Sequence, residues 1–296
     1  MTPAGTMAAP AWVDRTPRSV QLWRATLNKI VLGACILAAG LVVLPLVLIV
    51  GYLIANGFAG LNLAFFTHMP KPVGEAGGGM ANAIVGTLLV VGVAAAMALP
   101  LGIAAGVYLA EYGRGRFASL VRYTTDVLSG VPSIVVGVVA YGLVVIPMGR
   151  FSGFAGSVAL TILMLPPIIR ATEEMVRLVP QSYRQAALAL GAPRWKTTQQ
   201  IVLPAARAGI VTASMLAVAR AAGETAPLLF TALGNRFWSL SMDQPIATLP
   251  VFIYDYARAP YTDWNRQAWT GALVLVLLVT LISLVLRLTV RRVRDR

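Results

Sequence analysis

The sequence predicts an all-α integral membrane protein with six transmembrane helices and both termini in the cytoplasm. Three observations predict it. The chain of 296 residues is 58% hydrophobic and only 12% charged, whereas a soluble chain carries roughly 25% charged residues. Its apolar residues gather in six continuous runs, not in the alternating ~10-residue stretches of a β-barrel. Its basic residues collect between alternate runs, which sets an orientation. The same composition excludes disorder over most of the chain.

Crossing the hydrocarbon core takes ~20 apolar residues. Residues 30–53 and 84–109 are charge-free and long enough. Residues 127–146 are a third run. Residues 154–169 are a fourth, shorter and ending in Pro166-Pro167. Residues 208–233 are a fifth, interrupted by Arg220 and Glu224, and 268–286 a sixth. The first run lies too deep for a cleaved signal peptide. Ahead of it, the cytoplasmic leader 1–29 carries Pro3, Pro10 and Pro17 and is expected to be largely disordered. The helical membrane domain then spans 30–290, and 291–296 form a basic tail.

Of 24 basic residues, 18 fall on one side of the runs and 5 on the other, with Arg220 inside a run. The positive-inside rule therefore puts the termini and the segment 170–207 in the cytoplasm. Topology alone explains the net charge of +13, so no nucleic-acid partner is needed. The opposite side holds 55–83, a turn near 148–153, and 234–267. In the last, Trp238, Tyr254, Tyr256, Tyr261 and Trp264 read as interfacial anchors, with a docking surface for an outside partner as the alternative.

Other features exclude chemistry. The single cysteine, Cys35, reads as a buried small apolar residue and forbids an intrachain disulfide. The single histidine, His68, reads as a loop residue without a partner and excludes HExxH zinc chemistry. No lysine follows a glycine, so there is no Walker A loop. No metal site is expected. Gly77-Gly78-Gly79 reads as a flexible loop. Gly102 and Gly106 allow close helix approach, within the chain or to a neighbour.

The segment 170–207 is long for a bundle connection. Ser182 reads as a helix N-cap with Gln185 as its capping-box partner. Residues 185–190 are rich in alanine and leucine, strong helix formers. Gly191 suits the left-handed position past a helix end, and Pro193 suits the first turn of a second helix. The expectation is a short helix, a glycine-hinged corner and a second short helix. Such a unit can seat in a groove of another protein.

The spacing Gln185-Ala186-Ala187, three residues, Gly191, nine residues, Ile201, one residue, Leu203-Pro204 resembles the EAA loop of ABC-importer permeases. In that family the loop forms a coupling helix that seats in a cleft of the ATPase subunit. Glutamine stands at position 185 where the family pattern has glutamate, which keeps a hydrogen-bonding group and removes a charge. The resemblance implies a MetI-like permease fold, with these seven residues as the ATPase-coupling set on a loop at 180–204.

Four further stretches resemble the phosphate-importer permeases of the PstA type. They are Asn82-Ala-Ile-Val-Gly-Thr87, Asp126-Val-Leu-Ser-Gly-Val-Pro-Ser-Ile-Val-Val-Gly137, Leu165-Pro-Pro-Ile-Ile-Arg-Ala-Thr-Glu-Glu174 and Ala219-Arg-Ala-Ala-Gly-Glu-Thr-Ala-Pro-Leu-Leu-Phe230. The resemblance implies a bacterial inner-membrane subunit, not itself an enzyme, that carries inorganic phosphate. It implies a PstC-type sister permease, a dimeric cytosolic PstB-type ATPase holding ATP and Mg, and a PstS-type extracytoplasmic phosphate-binding protein. No cofactor is expected on this chain. A permease of the same architecture for sulfate, molybdate or phosphonate is the alternative, and a stand-alone secondary transporter a more distant one.

The charged run argues for an anion independently. Arg220 and Glu224 stand four apart, on one helical face. A charge at mid-bilayer costs ~2.5–3.5 kcal/mol on insertion scales, so such residues pair or line a watery cavity. Arginine stays protonated, and its planar fork fits phosphate in bidentate fashion. A structural ion pair is the alternative. Arg170, followed by Glu173 and Glu174, reads either as the inner mouth of a pathway or as positive-inside anchoring. Asp126 reads as a helix cap. Ser129, Ser133 and Thr225 line the pathway or satisfy freed carbonyls.

Overall fold

The computed structural model describes residues 17–73, 75 and 77–294, with side chains as far as Leu284 apart from Arg18. The expectations for residues 1–16, for Arg296 and for the side chains of the other tail arginines lie outside these. Among the described residues the regular structure is helical, with two isolated β-bridges. The contacts divide the chain at Tyr52.

The first unit is the helix α1, Arg18–Gly57, up to Tyr52. It begins inside the stretch expected as leader. Pro45 sits within it. Cys35 is exposed rather than buried.

The second unit holds α2 (Ala81–Tyr112), α3 (Gly115–Gly130), α4 (Ser133–Met148), α5 (Gly153–Arg177), α6 (Gln181–Ala189), α7 (Arg194–Ala222), α8 (Leu249–Arg258) and α9 (Thr262–Arg294). Five helices, α1, α2, α5, α7 and α9, are long and apolar enough to cross a membrane, and the bent pair α3–α4 makes a sixth if counted as one span.

The seam between α2 and α5 organises the core. A Cβ on Gly102 would stand 2.7 Å from Ile168 Cγ2, and one on Gly106 2.6 Å from Thr172 Cβ. These glycines therefore serve packing within the chain. Across the same seam Ser157 Oγ donates to the Val90 carbonyl at 3.0 Å and Thr161 Oγ1 to the Ala94 carbonyl at 3.3 Å. Small residues and hydroxyls are the usual glue between apolar helices, because lipid tails compete with any larger apolar contact.

Prolines make the principal departures from the expected spans. The run 127–146 is not one helix. Pro132 forces Val131 into an extended conformation (ψ 130°), as the residue before proline prefers. The chain bends 110° between α3 and α4. Asp126 thus lies inside α3 rather than capping a helix. The fourth run does not end at Pro166-Pro167. α5 continues to Arg177, since Met164, Pro166 and Ile168 are buried and packing holds the helix together.

The fifth run, 208–233, breaks after Ala222, and a new turn, Ala226–Leu229, begins with Pro227 in its first positions. The second helix expected in 170–207 is not separate; it is the start of α7. α7 widens to a π-helical stretch at Thr198–Val202 immediately before Pro204. That widening removes the clash a proline ring makes with the carbonyl four residues earlier.

On the opposite end from α6, the segment 234–267 contains α8, which packs beside the start of α9. Tyr256 stacks on Trp264 with centroids 4.4 Å apart, and Arg236 covers the Trp264 face at 5.0 Å. Tyr256 and Trp264 are therefore buried core aromatics. Trp238, Tyr254 and Tyr261 remain exposed. This segment is tied to the first turns of α2, where Leu249 N donates to Thr87 Oγ1 at 2.8 Å and Asn82 Nδ2 to the Asn235 carbonyl at 3.0 Å. In the segment before α2, His68 Nδ1 stands 3.0 Å from Thr67 Oγ1, so it has a partner.

Candidate functional site

The expected site residues fall in two regions. The first surrounds α6. Pro180 is the N-cap, and no side chain caps this helix, so Ser182 and Gln185 do not form the expected capping box. Proline cannot continue a helix backwards, and the chain turns helical directly after it. Gly191 adopts φ +81°, the left-handed corner its lack of a Cβ permits. Among the coupling residues, Ala187 is buried, while Gln185, Ala186, Gly191 and Pro204 are exposed and Ile201 and Leu203 half-buried. Leu188, Leu190 and Trp195 add exposed apolar surface beside them.

What holds α6 is an ion pair that spacing could not reveal. Arg184 donates through Nε at 2.9 Å and Nη2 at 2.5 Å to Glu111 Oε1 on the last turn of α2. It also donates to the Val176 carbonyl at 2.9 Å and the Val179 carbonyl at 2.5 Å. Those carbonyls lie at the end of α5, where helical partners run out. Both side chains are largely buried. One guanidinium thus fastens α6 to α2 and α5.

Deeper on the same end, Glu173 is 2% exposed. Its Oε1 receives Arg122 Nε at 2.7 Å and lies 2.5 Å from Arg177 Nη2. Its Oε2 accepts no hydrogen bond, and Arg170 Nη1 stands 4.0 Å from it. Arg122 also donates to the Leu109 carbonyl at 2.7 Å, closing the end of α2. Arg170 itself lies within 4.0 Å of three carboxylates, with Nε 3.8 Å from Asp126 and 3.5 Å from Glu174.

The second region is the break after α7. Arg220 Nε lies 3.6 Å from Glu224 Oε1, with the arginine side chain 73% exposed and the glutamate 18%. The pair does form, but outside hydrogen-bonding range. Glu224 stands past the helix end rather than on a continuous helix, and Thr225 opens the next turn. The start of α4 meets that turn, since a Cβ on Gly137 would stand 2.7 Å from Pro227 Cα. Ser133 lies one helical turn before Gly137 on the same α4 face. Ser129 donates back to the Thr125 carbonyl at 2.9 Å.

The structure thus brings Arg220, Glu224, Thr225 and Ser133 to two adjoining helix breaks and leaves Arg170 elsewhere. Gly209 of α7 meets Met175 of α5, while Ala221 shares a core cluster with Leu160 and Met164. The two helices therefore run antiparallel, with Arg170 nearer the α6 end and Arg220 nearer the other. Among the described residues no three His, Cys, Asp or Glu side chains are grouped as metal ligands.

Comparison with known proteins places this geometry. A family model described as binding-protein-dependent transport system inner membrane component matches residues 98–295. The phosphate transport system permease protein PstA of Yersinia pestis is 46% identical over 282 residues, 95% of this chain and 96% of that protein. PstA of Haemophilus influenzae is 44% identical, covering 90% and 94%. PstA 1 of Mycobacterium tuberculosis is 42% identical, covering 81% of each. An inward-facing structure of the MetNI methionine ABC transporter superposes with a TM-score of 0.60 at 21% identity, over 71% of this chain and 94% of that one. The likeness supports the MetI-like fold. The chain is a multi-pass ABC-importer permease subunit and belongs to the family of binding-protein-dependent transport system inner membrane components, in its PstA group.

Proposed function

We propose that this chain forms half of the translocation pathway of an ATP-driven importer of inorganic phosphate in a bacterial inner membrane. The observation that carries the coupling part is the seating of α6. Arg184 and Ala187 bind it to the bundle, and Gln185, Ala186 and Leu188 stay exposed to solvent. A helix fixed on one side and bare on the other suits insertion into a partner's groove. The cargo follows from the PstA relatives and from Arg220, an exposed cation at a helix break. Discontinuous helices are where membrane carriers place their polar sites, because freed backbone groups and side chains there can meet solute.

In this reading α3–α4 count as one bent span, making six, and the basic residues keep both termini and α6 in the cytoplasm. A PstC-type permease supplies the other half of the pathway. A PstB-type ATPase dimer binds ATP and Mg and grips α6, so this chain needs no cofactor and catalyses no reaction. A PstS-type protein delivers phosphate to the opposite face. Closure of the ATPase pulls on α6, and the Arg184 clamp passes that pull to α2 and α5. The break after α7 then opens, and Arg220 exchanges Glu224 for phosphate.

The experiment is reconstitution of the four-component complex in proteoliposomes. ATP-dependent phosphate accumulation is expected, with weak competition from sulfate or molybdate. Removal of residues 182–204 is expected to release the ATPase. Uptake by this chain alone, or an ATPase still bound after that deletion, rules the proposal out.

A further inference from the structure

The α6 end also contains a cavity of about 290 Å³ between the last turn of α2, the end of α5, α6 and the start of α7. Four arginines line it, Arg114, Arg177, Arg184 and Arg194. Two already have a carboxylate partner, though Arg177 shares its own with Arg122. Arg184 pairs with Glu111, which is the cavity's sole lining carboxylate, and Arg177 pairs with Glu173 behind the wall. Among the described residues Arg114 and Arg194 have neither ion pair nor side-chain hydrogen bond. The cavity is left with two uncompensated positive charges. Arg114 is also the N-cap of α3 and Arg194 the first residue of α7, so two helix starts add their partial positive charge. The Gln185 amide lies on the lining as well.

We propose that this cavity is a phosphoryl-oxyanion site, separate from the Arg220 region, that takes inorganic phosphate on the side where the ATPase docks. A tetrahedral dianion matches the two spare charges, and arginine forks bind its paired oxygens. The volume admits the anion with waters. Because Arg184 and Gln185 border the same space, an occupied cavity braces α6 against the bundle. Phosphate delivered by transport or released by ATP hydrolysis would then act on the docking helix as a product signal. The signalling role rests on the importer reading; the binding site does not.

The test uses the full chain in nanodiscs of zwitterionic lipid, without ATPase, and measures binding of radiolabelled inorganic phosphate by equilibrium dialysis. Saturable binding is expected. Arg114→Gln and Arg194→Gln are each expected to weaken it about tenfold, while Arg116→Gln, at an exposed arginine outside the lining, leaves it intact. Both target arginines are exposed, so the variants should fold, and unchanged thermal unfolding checks this. In nanodiscs containing phosphatidylglycerol, displacement of phosphate from the wild type but not from a variant lacking both arginines identifies the lipid headgroup as the natural source of the same chemistry. No saturable binding, or equal binding by the doubly substituted chain, overturns the site. So does loss of phosphate binding on adding the ATPase, which would assign the cavity to a carboxylate of that partner. Failure of phosphate transport with binding intact would instead strike the importer reading.

Discussion

The two charged regions are built from the same residue types and differ in how tightly those residues are held. At the α6 end, Glu173 and Glu111 are withdrawn from solvent and their arginines approach to 2.5–2.9 Å. At the break after α7, Arg220 is mostly exposed and stands 3.6 Å from its partner. Burial decides what each pair is for. A buried carboxylate deprived of its arginines, or arginines deprived of it, leaves charge in a poor solvent at about 3–5 kcal/mol. An exposed pair at long range is worth about 0–1 kcal/mol. The first arrangement resists change, and the second exchanges partners cheaply.

Replacing Glu173 should break this comparison most visibly. Glu173→Ala removes the shared partner of Arg122, Arg170 and Arg177. We expect about 3–5 kcal/mol of destabilisation, read as a lower thermal midpoint and poor recovery of monodisperse protein from detergent. Wild-type stability in this variant would mean that the arginines do not depend on the carboxylate.

A smaller effect is expected at the clamp. Glu111→Gln keeps the shape and removes the charge from bonds to Arg184, costing about 1.5–3 kcal/mol. Its signature is functional: ATPase stimulation by the permease should fall more than the stability of the membrane bundle. Arg184→Lys should behave similarly, because an ammonium cannot span Glu111 and the α5 carbonyls as a fork does. If ATPase coupling is unchanged in the single variants, α6 is held by packing alone.

The different fates of the prolines show where sequence reading stops. Pro132 and Pro166-Pro167 carry the same local signal, yet one ends a helix and the others do not. Pro132 is exposed and Val131 only half-buried, so nothing opposes the backbone preference of the residue before proline. Pro166 is buried in a helix that packs along the whole of α2. That distinction depends on neighbours distant in sequence. Gly191, by contrast, was legible because its left-handed turn follows from the absence of a side chain. The pair Arg220–Glu224 was legible from a spacing of four. Glu111–Arg184 was not, being separated by 73 residues. Its one clue was that Glu111, Asp126, Glu173 and Glu174 place acidic residues on an otherwise basic side.

The smallest structural effect should accompany a large functional one. Arg220→Gln removes a side chain that is mostly exposed and makes one long contact, so stability should change by less than about 1 kcal/mol. In the proposed cycle it also removes the guanidinium that meets phosphate. Phosphate uptake by the assembled complex should fall by about tenfold or more, as expected when a charge-assisted bond to the solute is lost. Glu224→Gln separates the two remaining readings of this pair. If Glu224 only restrains Arg220, neutralising it frees the arginine and uptake persists with altered affinity. If the pair is purely structural, Arg220→Gln and Glu224→Gln should depress assembly together and leave uptake per assembled complex unchanged. That second result would erase the contrast between the two regions and return Arg220 to the class of charges that hold the bundle.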